Sequence, residues 1–363
     1  MLRKISLLIL AACFLSQTAV SQDVIKDGLK VWTTAWDNGQ PDNYYIFQWT
    51  YNAADQTWKT ELQWVVSPEF AGEEWNGSVY DMGMDMITHP GGDDLYAVLT
   101  VSKGDSHFPS QGTEFQLRKL VVNNDWPEWE LVQDPLFTTP ADVSPLGVDV
   151  YYDAGQLHIA WTEDNDEAGP NSMMCEIFDQ AYTVNSDGTL AASGDKTLVF
   201  SHRLNWGGTN PGVAGVTGLT VCDYDGDGDM DFVIGDMYYG ESPAGVAIQL
   251  IERLGPDEWS ADVQDLFYGS PGHGAEGVCY CDIDGDEYLD LVMTSGSSYP
   301  WNNVVWFEKA PDGSGQLDEV GVLVDCSTHN DENYPSVSNQ GHIFGLYVPS
   351  PASSTLLDHW SLY

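Results

Sequence analysis

The stretch CDYDGDGDMDFVIGD, residues 222–236, sets aspartates at alternate positions, Asp223, Asp225, Asp227, Asp229 and Asp231, and then turns apolar. Carboxylates this close repel one another, and carboxyls that share a site push each other's pKa upward. Such a cluster needs either a compensating cation or a solvated, disordered loop. The Phe232-Val233-Ile234 run that follows reads as a buried strand and argues for order.

A second copy, CDIDGDEYLDLVMTSG at residues 281–296, repeats the plan about 60 residues later with Asp282, Asp284, Asp286 and Asp290. Fainter copies keep the strand and turn but lose the carboxylates: KDGLKVWTTAWD, MDMITHPGGDDLYAVLTVSK, VDVYYDAGQLHIAWTED and SVSNQGHIFGLYV. Their turns fall near residues 27, 89, 153, 223, 282 and 340. Each turn is followed by a second hairpin of short apolar-aromatic runs separated by Asn, Asp, Gly and Pro, as in AIQLIERLGPDEWSADVQDLF and VVWFEKAPDGSGQLDEVGVLV. No helical period persists. Antiparallel four-strand units recurring every ~55–70 residues indicate an all-β fold, a β-propeller of about six, or seven, four-stranded blades.

The pattern Asp-x-Asp-Gly-Asp-Gly-x-x-Asp followed by an apolar strand resembles the FG-GAP/VCBS repeat family, which includes the calcium-binding blades of integrin α-subunit propellers. The match is close at 223–231; at 282–290 Glu287 stands where the family has Gly. The other copies are similar to the family only in strand pattern. The resemblance implies a propeller with calcium loops. It implies no single activity, because adhesins, lectin-like proteins and polysaccharide lyases share the repeat.

Calcium takes six to eight hard oxygen ligands. Side chains of Asp223, Asp225, Asp227 and Asp231 would supply them in the first loop, with the Asp229 carbonyl. In the second loop Asp282, Asp284, Asp286 and Asp290 would do so, with the Tyr288 carbonyl. Gly226 and Gly228 permit left-handed backbone geometry. An EF-hand needs a bidentate Glu at its twelfth position, where Ile234 and Met293 stand here. No nucleophile or base lies nearby, so the expected Ca²⁺ is structural.

The chain carries 12 Lys and Arg against 56 Asp and Glu, a formal charge of −44. That balance excludes nucleic acid as a partner, since phosphate binding depends on clustered Lys and Arg. Arg3 and Lys4, an apolar run over 5–15 and the small residues Ala19-Val20-Ser21 read as a secretory signal over 1–21, leaving 22–363 as one propeller domain. Leu10-Ala11-Ala12-Cys13 is a rival lipobox that would anchor the chain through Cys13. No later segment has the ~20 apolar residues of a membrane span. Removing 1–21 leaves Cys175, Cys222, Cys279, Cys281 and Cys326, an odd number. The preferred reading of Cys222 and Cys281 is as small buried hydrophobes in equivalent strands.

In a propeller the loops between first and second strands share one face, and those between blades and between second and third strands share the other. On that second face the sequence collects His202, Arg203 and Trp206, then Tyr238 and Tyr239, His273, Tyr299 and Trp301, and His329. Aromatic faces beside polar groups suit sugar rings. Three readings follow: a binding or adhesion module for a glycan or an extracellular protein, a structural subunit of an extracellular assembly, and a polysaccharide lyase or hydrolase. The first is preferred. His158 and His342 lie within strand patterns and read as structural. The last copy lacks an outer strand, an exposed edge that proteins normally cover. Residues 22–26 pairing with 356–362 would close the ring within one chain; a strand from another molecule, giving self-assembly through the termini, is the alternative.

Overall fold

The computed structural model describes residues 25–36, 44–66, 84–88, 95–102, 112–123, 126–141, 143–145, 147–165, 172–205, 216–236, 247–256, 258–268, 275–284, 290–295, 303–310, 314–325 and 343–347. Every described element is a strand or a turn, and all strand pairings are antiparallel. Blade I contains β1 (Lys30–Trp36), β2 (Tyr44–Asn52) and β3 (Thr57–Val66). Blade II is β4 (Met84–Thr88), β5 (Leu95–Ser102), β6 (Thr113–Asn123) and β7 (Trp126–Thr138). In blade III, β8 (Val143–Ser144) precedes the inner strand β9 (Val148–Asp153). It is followed by β10 (Gln156–Asn165), β11 (Ser172–Val184), the short β12 (Leu190–Ala192) and β13 (Thr197–Asn205).

Blade IV is β14 (Val216–Cys222), β15 (Asp231–Asp236), β16 (Ala247–Ile251) and β19 (Gln264–Tyr268). A side hairpin of β17 (Arg253–Gly255) and β18 (Glu258–Trp259) interrupts it. Blade V is β20 (Ala275–Cys281), β21 (Asp290–Ser295), β22 (Asn303–Lys309) and β23 (Leu317–Asp325). The last strand, β24 (Ile343–Tyr347), pairs with β1 through Trp32↔Tyr347, Thr33↔Leu346 and Ala35↔Ile343, and so becomes the inner strand of blade I.

The apolar runs of the sequence are explained by two buried faces per blade. In blade IV Phe232 and Ile234 pack with Tyr151 and Ile177 of blade III, while Val233 between them packs with Tyr280 and Leu291 of blade V. In blade V Cys279, Cys281 and Val292 face Val31, Phe47 and Trp49 of blade I. Alternation is therefore present, but each face meets a neighbour and neither reads as polar. The inner strands form a closed ring: β24 meets β4, β4 meets β9, β9 meets β14, β14 meets β20, and β20 meets β24. Approach is close enough that a Cβ on Gly218 would lie 2.8 Å from the Val278 nitrogen.

The ring thus has five blades, where the repeat count predicts six or seven. The copy near residue 340 is no separate blade, because it supplies β24, the first strand missing from the copy near residue 27. Closure within one chain runs through β24 and β1, whereas the expected pairing of 22–26 with 356–362 falls mostly outside the described residues. Of the expected partners, only Ile25 and Lys26 lie among the described residues, and Lys26 N–H donates to the Ile283 carbonyl of blade V at 3.2 Å. The thiols of Cys222 and Cys281 are buried in strands, as the sequence suggests, and those of Cys175 and Cys279 are buried in strands too, while Cys326 lies outside the described residues. Burial raises the Cys222 and Cys281 thiols well above their ordinary range.

Because β24 touches both neighbouring inner strands, truncation after residue 342 should abolish a single cooperative urea transition and expose apolar seams to a hydrophobic dye. One transition at the wild-type midpoint would show that β24 does not hold the ring.

Candidate metal centres

The first aspartate loop leaves β14 at Cys222 and enters β15 at Asp231. Gly226 and Gly228 hold φ of +84° and +96°, the left-handed geometry that a Cβ disfavours. This backbone turns the carboxylates inward. Asp223 accepts the Gly226 N–H at 2.8 Å and the Gly228 N–H at 3.1 Å; Asp225 accepts from Asp227 and Asp227 from Asp229, each at 3.0 Å. Carboxylate oxygens of Asp223, Asp225 and Asp227 lie within 4.8 Å of one another. Asp231 sits behind them, buried, and accepts the Tyr224 and Arg253 main-chain N–H groups at 3.1 and 2.9 Å. Burial raises its pKa to about 6. Burial, then the neighbouring Asp227, also raises Asp229.

The second loop repeats this frame. The Ile283 N–H donates to Asp290 at 2.6 Å, as Tyr224 does to Asp231, and burial raises Asp290 to about 7. Here Asp290 joins Asp282 and Asp284 in one cluster within 4.8 Å. Asp286 and Tyr288 lie outside the described residues. Three clustered carboxylates of hard oxygen, held by a turn whose own N–H groups orient them, fit a divalent cation such as Ca²⁺. When bound, it would offset the burial, and the smaller repulsion from neighbouring carboxylates, that favour protonation of Asp231 and Asp290.

Sequence reasoning missed what lies between the aspartates. The second position of each loop is a buried plug into the next blade. Tyr224 is 3% exposed, packs with Phe307 and Leu317 of blade V, and donates its hydroxyl to the Gly315 carbonyl at 2.7 Å. Ile283 is fully buried among Leu29, Val31 and Ile25 of blade I. Basic residues converge on the same rim. Lys309 donates to the Tyr224 carbonyl at 2.7 Å, Lys26 lies 3.3 Å from Asp282, and Arg253 pairs with Asp153 of blade III at 2.8 Å. An apolar or aromatic residue flanked by aspartates was the available signal for the plugs. For the basic residues it was their scarcity.

The opposite face is less fully described. His202 and Arg203 belong to β13, opposite Cys175 and Met174 of β11, and not to an inter-blade loop as predicted. The outer strand continues through Asn205 because its ladder with β11 does. Trp206, Tyr238, Tyr239, His273, Tyr299, Trp301 and His329 lie outside the described residues, as does His342. His158 is structural as expected: its Nδ1 lies 2.9 Å from Asp179, which also accepts the Tyr151 hydroxyl at 2.9 Å.

No protein-family model matches the sequence, and no curated protein matches it. Among solved structures, the chain is similar to an exo-1,5-α-L-arabinanase from a bovine ruminal metagenomic library. That likeness has a TM-score of 0.46 and 12% identity, and it covers 77% of this chain and 94% of that one. It is also similar to a candidate exo-β-1,3-galactanase from Bifidobacterium bifidum s17, with a TM-score of 0.39 and 11% identity over 84% of this chain and 93% of that one. Likenesses this distant carry no argument, and the fold rests on the strand pairing itself.

An ion held at a hundred times its Kd stabilises a fold by about 2.7 kcal/mol. Asp225→Ala should therefore lower the Tm substantially in calcium and little in chelator; equal losses would exclude a cation at 223–231. A second test uses pH. Asp231 and Asp290 are raised in the folded chain, so it keeps their protons above ~4, where the unfolded chain releases them. This contribution to stability is present below about 4 and is lost as pH rises through 6 to 7. In chelator the Tm should fall across that window, and Asp290→Asn should flatten the upper part of the fall. An unchanged profile in the variant would refute the shift at Asp290.

Proposed function

We propose that this chain is an exported, calcium-stabilised β-propeller related to the FG-GAP/VCBS repeats, and that it binds a glycan or an extracellular protein on the face opposite its aspartate loops. The observation that carries this reading is the anchoring of both loops on the next blade through their second residue. Tyr224 and Ile283 are buried plugs, and the carbonyl of each is taken by a donor from that blade, Lys309 or Lys26. A cation held there would brace the loop whose second residue ties two blades together, a structural role. Recognition then falls to the other ends of the strands. Chain order supports this: Tyr238 and Tyr239 fall between β15 and β16, Tyr299 and Trp301 between β21 and β22, and Trp206 between β13 and β14. The N-terminal charge and apolar pattern supports export. Among the described residues no helix is long and apolar enough to cross a membrane.

Hydrolysis of a polysaccharide is the second reading, favoured by Asp149 on the inner strand β9. It is 3% exposed, accepts the Val221 N–H of blade IV at 2.5 Å, and its Oδ1 has no hydrogen-bond partner among the described residues. Glycoside hydrolysis uses a pair of carboxylates, and Asp149 is a candidate for one of them.

The two readings separate in one experiment. The chain, with calcium, is tested against neutral and acidic polysaccharides for retention and for release of reducing ends or unsaturated products. The binding reading expects retention without product, lost in the folded Trp206→Ala/Trp301→Ala double variant. Product formation abolished by Asp149→Asn would establish the hydrolase instead. Undiminished retention by the double variant would move the binding face elsewhere.

A further inference from the structure

The two aspartate loops share a frame but meet different chemistry at the seam. At the first, the Tyr224 carbonyl accepts the Lys309 ammonium at 2.7 Å, and that ammonium also stands 4.5 Å over the Tyr224 ring. This cation from blade V is thus held by a carbonyl and an aromatic face. At the second, the equivalent Ile283 carbonyl accepts a main-chain N–H instead, that of Lys26, at 3.2 Å. The Lys26 ammonium is therefore released for another partner. It lies 3.3 Å from Oδ2 of Asp282, the first carboxylate of the cluster that Asp284 and Asp290 complete.

Lys26 is positioned by more than its charge. Its carbonyl accepts the Leu29 N–H at 3.2 Å, and the adjacent Ile25 packs on the cluster containing Ile283. Asp282 is nearly buried, with 7% of its side chain exposed against 30% for Lys26. Solvent screens the pair little on the Asp282 side and more on the Lys26 side.

We propose that Lys26 is a built-in competitor cation at the second loop. Its ammonium holds Asp282 when no metal is bound, fastening the segment before β1 onto blade V. A divalent cation entering among Asp282, Asp284 and Asp290 must share or displace it. The two loops are then unequal: the first is the tighter calcium site, and the second is the weaker one, coupled to the position of the N-terminal segment at the I–V seam. The inference rests on the reading that these loops bind calcium.

Calcium titration calorimetry on the full chain tests it, with thermal unfolding as an independent readout. Asp225→Ala first removes the tighter site so that the second is read alone. Adding Lys26→Met should then tighten the remaining site by about tenfold; it should also lower the Tm in chelator and enlarge the gain in Tm on adding calcium. The Lys26 main-chain bond survives this change, and Lys26→Gln gives the same comparison with a polar side chain should the Met variant fold poorly. An unchanged or weakened second site in both variants, with the first site intact in the parent chain, overturns the role of Lys26 alone. Absence of calcium binding in every variant overturns the calcium reading with it.

Discussion

The pairing of β24 with β1 is the interaction on which the other contacts depend. A propeller blade buries both faces against neighbours, so a ring one strand short leaves two seams open as well as an unpaired edge. The last described strand fills the innermost place of the first blade, where it also touches β4 and β20. The chain's two described ends are therefore locked in one sheet. The segment just before β1 reinforces the same region, because Ile25 and Lys26 dock on blade V around Ile283.

Charge is the second constraint. With 56 acidic side chains against 12 basic ones, few carboxylates can find an ammonium or guanidinium. Five of the described bases are used where blades meet or where apolar packing surrounds them. Lys26, Arg253 and Lys309 hold the rim of the aspartate loops. Lys196 pairs with buried Glu163 at 2.9 Å while standing 3.6 Å over the Phe178 ring. Arg118 is buried in blade II, bonded to Gln116 and to the Trp129 carbonyl, and burial lowers it to about 10 against the opposing pull of Asp134. What remains for the clustered aspartates other than Asp282 is their own backbone N–H groups, a proton, or a metal ion.

Much of this was legible locally. The alternating aspartates and glycines locate two turns because carboxylate-to-backbone bonds within them span only two to seven residues. The apolar runs after them locate β15 and β21. The buried cysteines follow from their place in equivalent strands. Other features were misread for identifiable reasons. His202 and Arg203 look like loop residues because polar and basic side chains are tolerated on an outer strand, and the pairing partner that makes it a strand, β11, is not visible in local composition. Tyr224 has no role in the sequence reading, since its function is a contact with Gly315 in another blade.

By itself the sequence determined the strand content, the repeating hairpins and the two carboxylate turns, all set by backbone geometry and side-chain period over a few residues. The number of blades was decided only in the folded ring. Six turn signals make five blades because the first and last are halves of one sheet, and nothing local distinguishes a strand that pairs with its sequence neighbour from one that pairs with the far end. The same holds for the second aspartate loop, whose closest cation is 256 positions away along the chain. Lys26 reaches Asp282 because ring closure carries blade I against blade V, and Coulomb attraction acts on distance in space, which chain order does not encode.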